Sequence, residues 1–326
     1  MRALAAWIGA FLVVALAGGG AVVALNATVF GPGDFVRVYL DALARGDAES
    51  ALALPGVDPG IADDRLLTDA VLGGLDDIRQ VRDEPQGGGV HRITMAWSTG
   101  AGDGLSTRDG QSTFEVERVG TRLGLFPEWG FAVSPTATIE LEVSNDQRFT
   151  ANGVQQVTGR PEGGAAALAV LVPGAYLLGH DSAFLVADQV TVVADEPGAA
   201  IPALIEVEPA PEFAAAITRA VHDRLAECVL QTVLFPTGCP FGHAIADRVV
   251  SDPDWSIVRD PAFSEPEPGA FGEWIAGPAP GTAHLTVEVQ SLFDGSVSTL
   301  DQDVPFQARY RIRIVGDELE ATVLED

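Results

Sequence analysis

The sequence predicts an α+β protein built in series: an N-terminal transmembrane helix, then two helix-plus-curved-antiparallel-sheet domains flanking a small β-sandwich. Three observations predict it. An uncharged run fills residues 3–25. Two segments, around residues 35–43 and 213–228, repeat apolar residues at helical spacing, and each precedes stretches of apolar and polar alternation. Between them, residues 134–196 carry short apolar runs broken by turn residues, with no helical period.

The run at residues 3–25 is long enough as a helix, at about 1.5 Å per residue, to cover a bilayer's hydrocarbon core of about 30 Å. Trp7 suits an interface, and Arg2 with the terminal amine marks the cytoplasmic end by the positive-inside bias, which places everything after it outside the cytoplasm. The rival reading is a cleaved secretory signal with Ala15-Leu16-Ala17 as its small-residue site. Against it, the apolar stretch continues from that site to Leu25.

Composition narrows the chemistry. Acidic residues outnumber basic ones 46 to 19, giving a net charge of -27, and every basic residue is arginine. The absence of lysine removes P-loop, Schiff-base and serine-lysine chemistry. So strong a negative charge repels nucleic acid and anionic lipid, so neither is an expected partner. It also favours solubility.

Residues 29–132 make the first domain. Asp34 is placed to cap a helix whose apolar face is Phe35, Tyr39 and Leu43, with Val36 and Leu40 beside it. Gly46 ends that helix, and Asp47 opens a short second one closed by Pro55. A third helix is expected over residues 63–72, with Leu66, Leu67, Ala70 and Val71 inward. Strands follow at residues 78–83 and 91–98, where His91, Ile93, Met95 and Trp97 alternate with Arg92, Thr94, Ala96 and Ser98. Residues 113–118 and 123–131 complete a meander. The helix, the Gly46-Asp47 corner, the second helix and the sheet together resemble the opening of the nuclear transport factor 2-like (cystatin-like) superfamily. That resemblance implies a helix lying in the concave side of the sheet and a conical pocket, which His91, Met95 and Trp97 would line as ligand-binding residues.

Residues 133–196 read as the β-sandwich, with strands near 137–143, 149–153, 166–172, 176–178, 184–186 and 190–193. Asn152-Gly153 is a hairpin turn signal. Val172-Pro173-Gly174-Ala175-Tyr176 resembles the corner of PEGA-like surface modules, which serve as spacers or binding modules. The uncharged residues 163–179 are too short to cross a membrane and are broken by Pro173-Gly174.

Residues 197–211, rich in Pro, Ala and Glu, read as a linker into the last domain, residues 197–326. Pro211 starts a helix whose stripe is Phe213, Ile217, Ala220, Val221 and Cys228. The element order of the first domain then recurs, and Val81-Arg82-Asp83 returns as Val258-Arg259-Asp260. This predicts a second cystatin-like domain, interrupted by an insert around residues 273–280. A hairpin at Gly316-Asp317 would pair Ile314 with Leu319, Ile312 with Ala321 and Tyr310 with Val323, setting Arg309, Arg311 and Arg313 on the other face with Glu320 directly across from Arg313 and Glu318 diagonal to it. Those arginines suit either an anion site or exposed cross-strand ion pairs.

Cys228 and Cys239 are the only cysteines. Outside the cytoplasm an even pair at this spacing most simply forms a disulfide, with a Cys2His2 metal site using His222 and His243 as the alternative. The segment from Cys228 to Phe241 resembles one in actinobacterial single-pass membrane proteins of unassigned function. No metalloprotease, nucleophile-elbow, P-loop or EF-hand pattern occurs, and the glycines at 100–104 lie between strands, so no cofactor or metal is expected. His284 falls on a polar face and is expected to be solvated. The expectation for function is a non-catalytic protein of the cell membrane, single-pass with its C-terminal part outside, meeting an envelope protein or cell-wall partner. The alternative is a small-ligand binder or sensor using the pocket at His91, Met95 and Trp97.

Overall fold

The computed structural model describes residues 30–99, 107–122, 124–316 and 318–324, and the predicted span at residues 3–25 lies outside them. One correction follows. The described chain is mostly β rather than α+β, with eighteen strands and only three helices. None of those helices is long and apolar enough to cross a membrane.

The first layer is built on α1 (Pro32–Ala44), which starts with Pro32 in its first turn and has no side-chain cap, so Asp34 lies inside the helix rather than at its cap. Gly46, at φ 67°, turns the chain, and Asp47 caps α2 (Ala48–Leu52) by accepting the Ser50 N–H at 2.9 Å. Val36, Tyr39, Leu40 and Leu43 are buried against an antiparallel sheet of β1 (Leu75–Gly87), β2 (Val90–Thr99), β3 (Asp109–Arg122) and β4 (Phe126–Phe131). The Tyr39 ring meets Phe131 edge-on at 5.1 Å, and its hydroxyl donates to the Pro135 carbonyl at 3.0 Å.

Residues 63–72 are not helical. The backbone of Asp63 pairs instead with β8 (Ala166–Leu171): its N–H donates to Ala167 at 2.9 Å and its carbonyl accepts from Ala169 at 2.8 Å. These bonds to a distant strand replace the local ladder, and the segment proceeds as turns. Leu66, Leu67 and Val71 are nevertheless buried, whereas Ala70, expected inward with them, is exposed.

Two further sheets follow. One orders β11 (Ala200–Ile205), β5 (Thr136–Val143) and β8; the other orders β12 (Val207–Pro209), β10 (Leu185–Ala194), β9 (Gly174–Asp181), β6 (Arg148–Ala151) and β7 (Val154–Val157). Ile139, Leu141, Leu168 and Val170 from the first join Phe149, Tyr176, Leu178 and Val192 from the second in one buried cluster. The stretch read as a linker therefore holds two strands. β11 runs parallel to β5, a pairing between strands far apart in sequence that no local pattern announces. Pro202 is tolerated there because β11 is an edge. The Asn152-Gly153 hairpin forms with φ of 48° and 80°, and the Tyr176 hydroxyl closes the corner on Leu171, donating to its carbonyl at 3.1 Å.

The last unit sets α3 (Phe213–Cys228) on a six-stranded sheet. β13 (Arg248–Val249), β14 (Asp254–Arg259) and β15 (Glu267–Pro268) all pair with β16 (Glu273–Gln290), which forms a long hairpin with β17 (Val297–Val315), and β18 (Glu318–Val323) lies beyond. The expected insert at residues 273–280 is the start of β16. The terminal hairpin has the predicted register, with Ile314 opposite Leu319, Ile312 opposite Ala321 and Tyr310 opposite Val323. α3 buries Phe213, Ile217, Val221 and Cys228 as expected, together with Ala216 and Leu225, whereas Ala220 is only half-buried.

One position makes the chain's tightest backbone approach in the first layer. Gly56 has φ 84°, and a β-carbon there would sit 2.2 Å from the Phe131 carbonyl oxygen. Gly60 has φ 69° with open space around it. Gly60→Ala should therefore cost about 1 kcal/mol for the left-handed backbone alone, and Gly56→Ala about 3 kcal/mol or more because strand β4 must also move. Urea unfolding of the two variants checks the difference.

Candidate functional site

The three residues proposed to line a pocket do share one face of β2, but they serve different ends. Met95 and Trp97 are 1% and 3% exposed. Trp97 lies across Gly110, where a β-carbon would meet its ring at 2.4 Å, and its indole N–H donates to the buried Ser112 hydroxyl at 3.0 Å. His91 stands at the rim, where Nδ1 is 2.7 Å from Asp83 Oδ1 and the ring meets Trp129 edge-on at 5.2 Å. At the opposite end of β2, Trp97 also lines an open cleft of about 490 Å³ with Asp77, Arg79, Asp109 and Gln111. A second cleft, of about 500 Å³, lies where Arg92, Gln111, Thr113 and Glu115 face Asp195, Glu196 and Pro197. Arg92 and Glu115 are paired in it at 2.8 Å, and the Glu115 carboxylate raises the Arg92 pKa. Its donors and acceptors suit a polar, hydrogen-bonding surface.

The joint between the middle sheets and the last sheet, and the middle sheets beside it, carry half-buried and buried polar groups that the sequence did not single out. Asn145, at φ 53°, donates to the Glu273 carbonyl at 3.0 Å and accepts the Gly272 N–H at 2.8 Å. His180 is almost wholly buried, its ring nitrogens 2.9 Å from the Arg148 carbonyl and 3.1 Å from the Ser182 hydroxyl, with Asp146 3.9 Å away. Isolated Asn and His in a β-rich stretch give no periodic signal, which is why they escaped notice. The Glu273 carboxylate, also largely buried, takes Arg313 at 2.6 Å and Arg311 at 3.2 Å. Two of the three arginines of the row are thus paired through the neighbouring strand β16. Glu320, the predicted partner, is opposite Arg313 in register.

Cys228 and Cys239 are joined by a disulfide with their α-carbons 5.9 Å apart. The histidines offered for a metal site are engaged elsewhere: His222 is 3.2 Å from Asp260, and His243 contacts Gln302 at 2.8 Å. Among the described residues no group of three or more His, Cys, Asp or Glu side chains is arranged to hold a metal ion.

No family model matches the chain. No curated protein matches it. Among solved structures it is similar to an Ntf2 like protein involved in plasmid conjugation, at 9% identity over 79% of each chain, with a TM-score of 0.14. The fold described above rests on its own strand pairings and takes nothing from that likeness.

His284 is not merely solvated. It lies between two carboxylates, Nδ1 2.8 Å from Asp303 and Nε2 3.2 Å from Asp301. The hydrogen bond to Asp303, then the two negative charges, raise its pKa above the ordinary histidine value. A raised folded pKa means that its contribution to stability is complete below the unfolded value of about 6.5 and is lost as pH rises through the folded one. We expect the His284 ring resonance to titrate above about 6.5 and Asp303→Asn to bring it down. A midpoint unmoved by that substitution would contradict the assignment.

Proposed function

We propose that this chain is a non-catalytic contact protein of the cell envelope, facing away from the cytoplasm and associated with the membrane through its apolar residues 3–25. The observation that carries the reading is the Cys228–Cys239 disulfide at the end of α3. Structural disulfides form and persist in oxidising compartments. The acidic composition supports it as well, since a net charge of -27 keeps an exposed domain soluble and away from anionic lipid. Its partner is an envelope protein or the cell wall, met through the outer surfaces of the sheets. Met95 and Trp97 favour this over a ligand pocket enclosed by the sheet, because nearly all of their surface lies in the core cluster that includes Tyr39 and Phe114 and only an edge of Trp97 reaches the open cleft.

External protease added to intact spheroplasts tests the compartment. The expected result is loss of the mass beyond residue 28, while a cytoplasmic marker survives; full protection overturns the reading. In the purified protein, replacing both cysteines by alanine should lower the unfolding free energy by about 2 to 3 kcal/mol, as closing a loop of this length implies.

A further inference from the structure

The β16–β17 hairpin ends in a loop that presents two large apolar side chains to solvent, Leu292 at 74% and Phe293 at 98% exposure. Single exposed apolar residues are ordinary. Here, however, the loop that carries them is held in one shape. The Ser291 N–H donates to Ser296 at 2.9 Å, and the Gly295 N–H returns to Ser291 at 3.0 Å. The Ser291 hydroxyl accepts the Phe293 N–H at 3.2 Å, Asp294 accepts the Ser296 hydroxyl at 2.8 Å, and Gln290 donates to Gly295 at 3.1 Å. Asp247, from outside the hairpin, accepts the Leu292 N–H at 3.2 Å. β13 pairs with the end of β16 that leads into this tip, Arg248 opposite Gln290, and along it Val233 and Val250, at 47% and 44% exposure, line a shallow cleft.

We propose that this tip and cleft form a docking surface for a polypeptide segment that carries apolar side chains next to arginine or lysine. The proposal rests on the reading of the chain as a contact protein and names the chemistry of its partner. Preorganisation is the first argument: a loop already fixed loses little entropy on binding, and a protruding aromatic is the kind of side chain that dominates interface energies. Charge selects the occupant. Four exposed acidic residues stand on the tip and on the strands beside the cleft, Asp247, Asp252, Glu288 and Asp294, against one exposed cation that lines the cleft, Arg248, so the surface keeps a negative excess. A second copy of this chain would bring the same carboxylates against them, and anionic lipid would be repelled. A segment with basic groups flanking leucine-like side chains satisfies both the apolar centre and the acidic rim.

The test uses the full chain in zwitterionic nanodiscs, with empty discs as the blank. Two fluorescent peptides of equal charge are titrated, one alternating leucine with arginine and one alternating serine with arginine. The first should bind about tenfold more tightly or better. A Leu292→Ser/Phe293→Ser variant, which leaves the charge unchanged, should lose that difference while its circular dichroism stays the same. A Leu292→Met/Phe293→Leu variant should keep most of it. Equal binding of both peptides, or undiminished discrimination by the serine variant, overturns the proposal. Self-association of the chain that the serine substitutions abolish also overturns it and makes a second copy the occupant. Failure here together with digestion in spheroplasts would sink this surface and leave the envelope reading standing.

Discussion

Asp63 gives its backbone N–H to Ala167 and takes one from Ala169, so a segment of the first layer is added to β8 as a short parallel bridge. The same middle sheets receive the Tyr39 hydroxyl at Pro135, and Asn152 there donates to the Val71 carbonyl at 2.7 Å. On the other side Asn145 reaches the backbone of Gly272 and Glu273. A buried peptide group without a partner costs about as much as a lost hydrogen bond. The turns at residues 63–72 and the start of β16 therefore depend on the middle sheets being in place. The three layers are joined by one backbone bridge and by side-chain hydrogen bonds to backbone groups rather than strung on free linkers.

This explains why strands prevail. Leu66, Leu67 and Val71 are spaced for a helix, but the Asp63 bridge fixes the chain direction at its start and the side chains are buried without one. Residues 200–209 are rich in Pro and Ala, yet β11 finds an open edge of β5 and β12 an open edge of β10. In each case a pairing partner far along the chain outweighs a weak local preference.

The charge distribution is organised as well. Several arginines are paired locally or across strands: Arg148 with Asp146, Arg92 with Glu115, and Arg311 and Arg313 with Glu273. Because acidic residues outnumber basic ones by 46 to 19, such pairing leaves a large negative excess, which lies on the surface and frames the hairpin tip. The Arg92–Glu115 pair, exposed on both sides, contributes little stability. The consequence of the negative excess is the selection of partners by charge.

Local features were legible in the sequence because they depend on residues close together. The helices at α1 and α3, the alternation of β2, the Asn152-Gly153 turn, the final hairpin register and the Cys228–Cys239 pair all follow from spacing within about twenty residues, where periodicity and turn chemistry act. The placement of His91, Met95 and Trp97 on one face was legible too, whereas the commitment of Met95 and Trp97 to the core was not. Only tertiary structure decided that the predicted third helix would be turns, that the linker would supply β11 and β12, that Glu273 would gather two arginines, and that His284 would lie between Asp301 and Asp303. Each of these joins groups through a strand pairing, most of them across long stretches of chain, and a pairing register is set by the whole sheet rather than by any one strand.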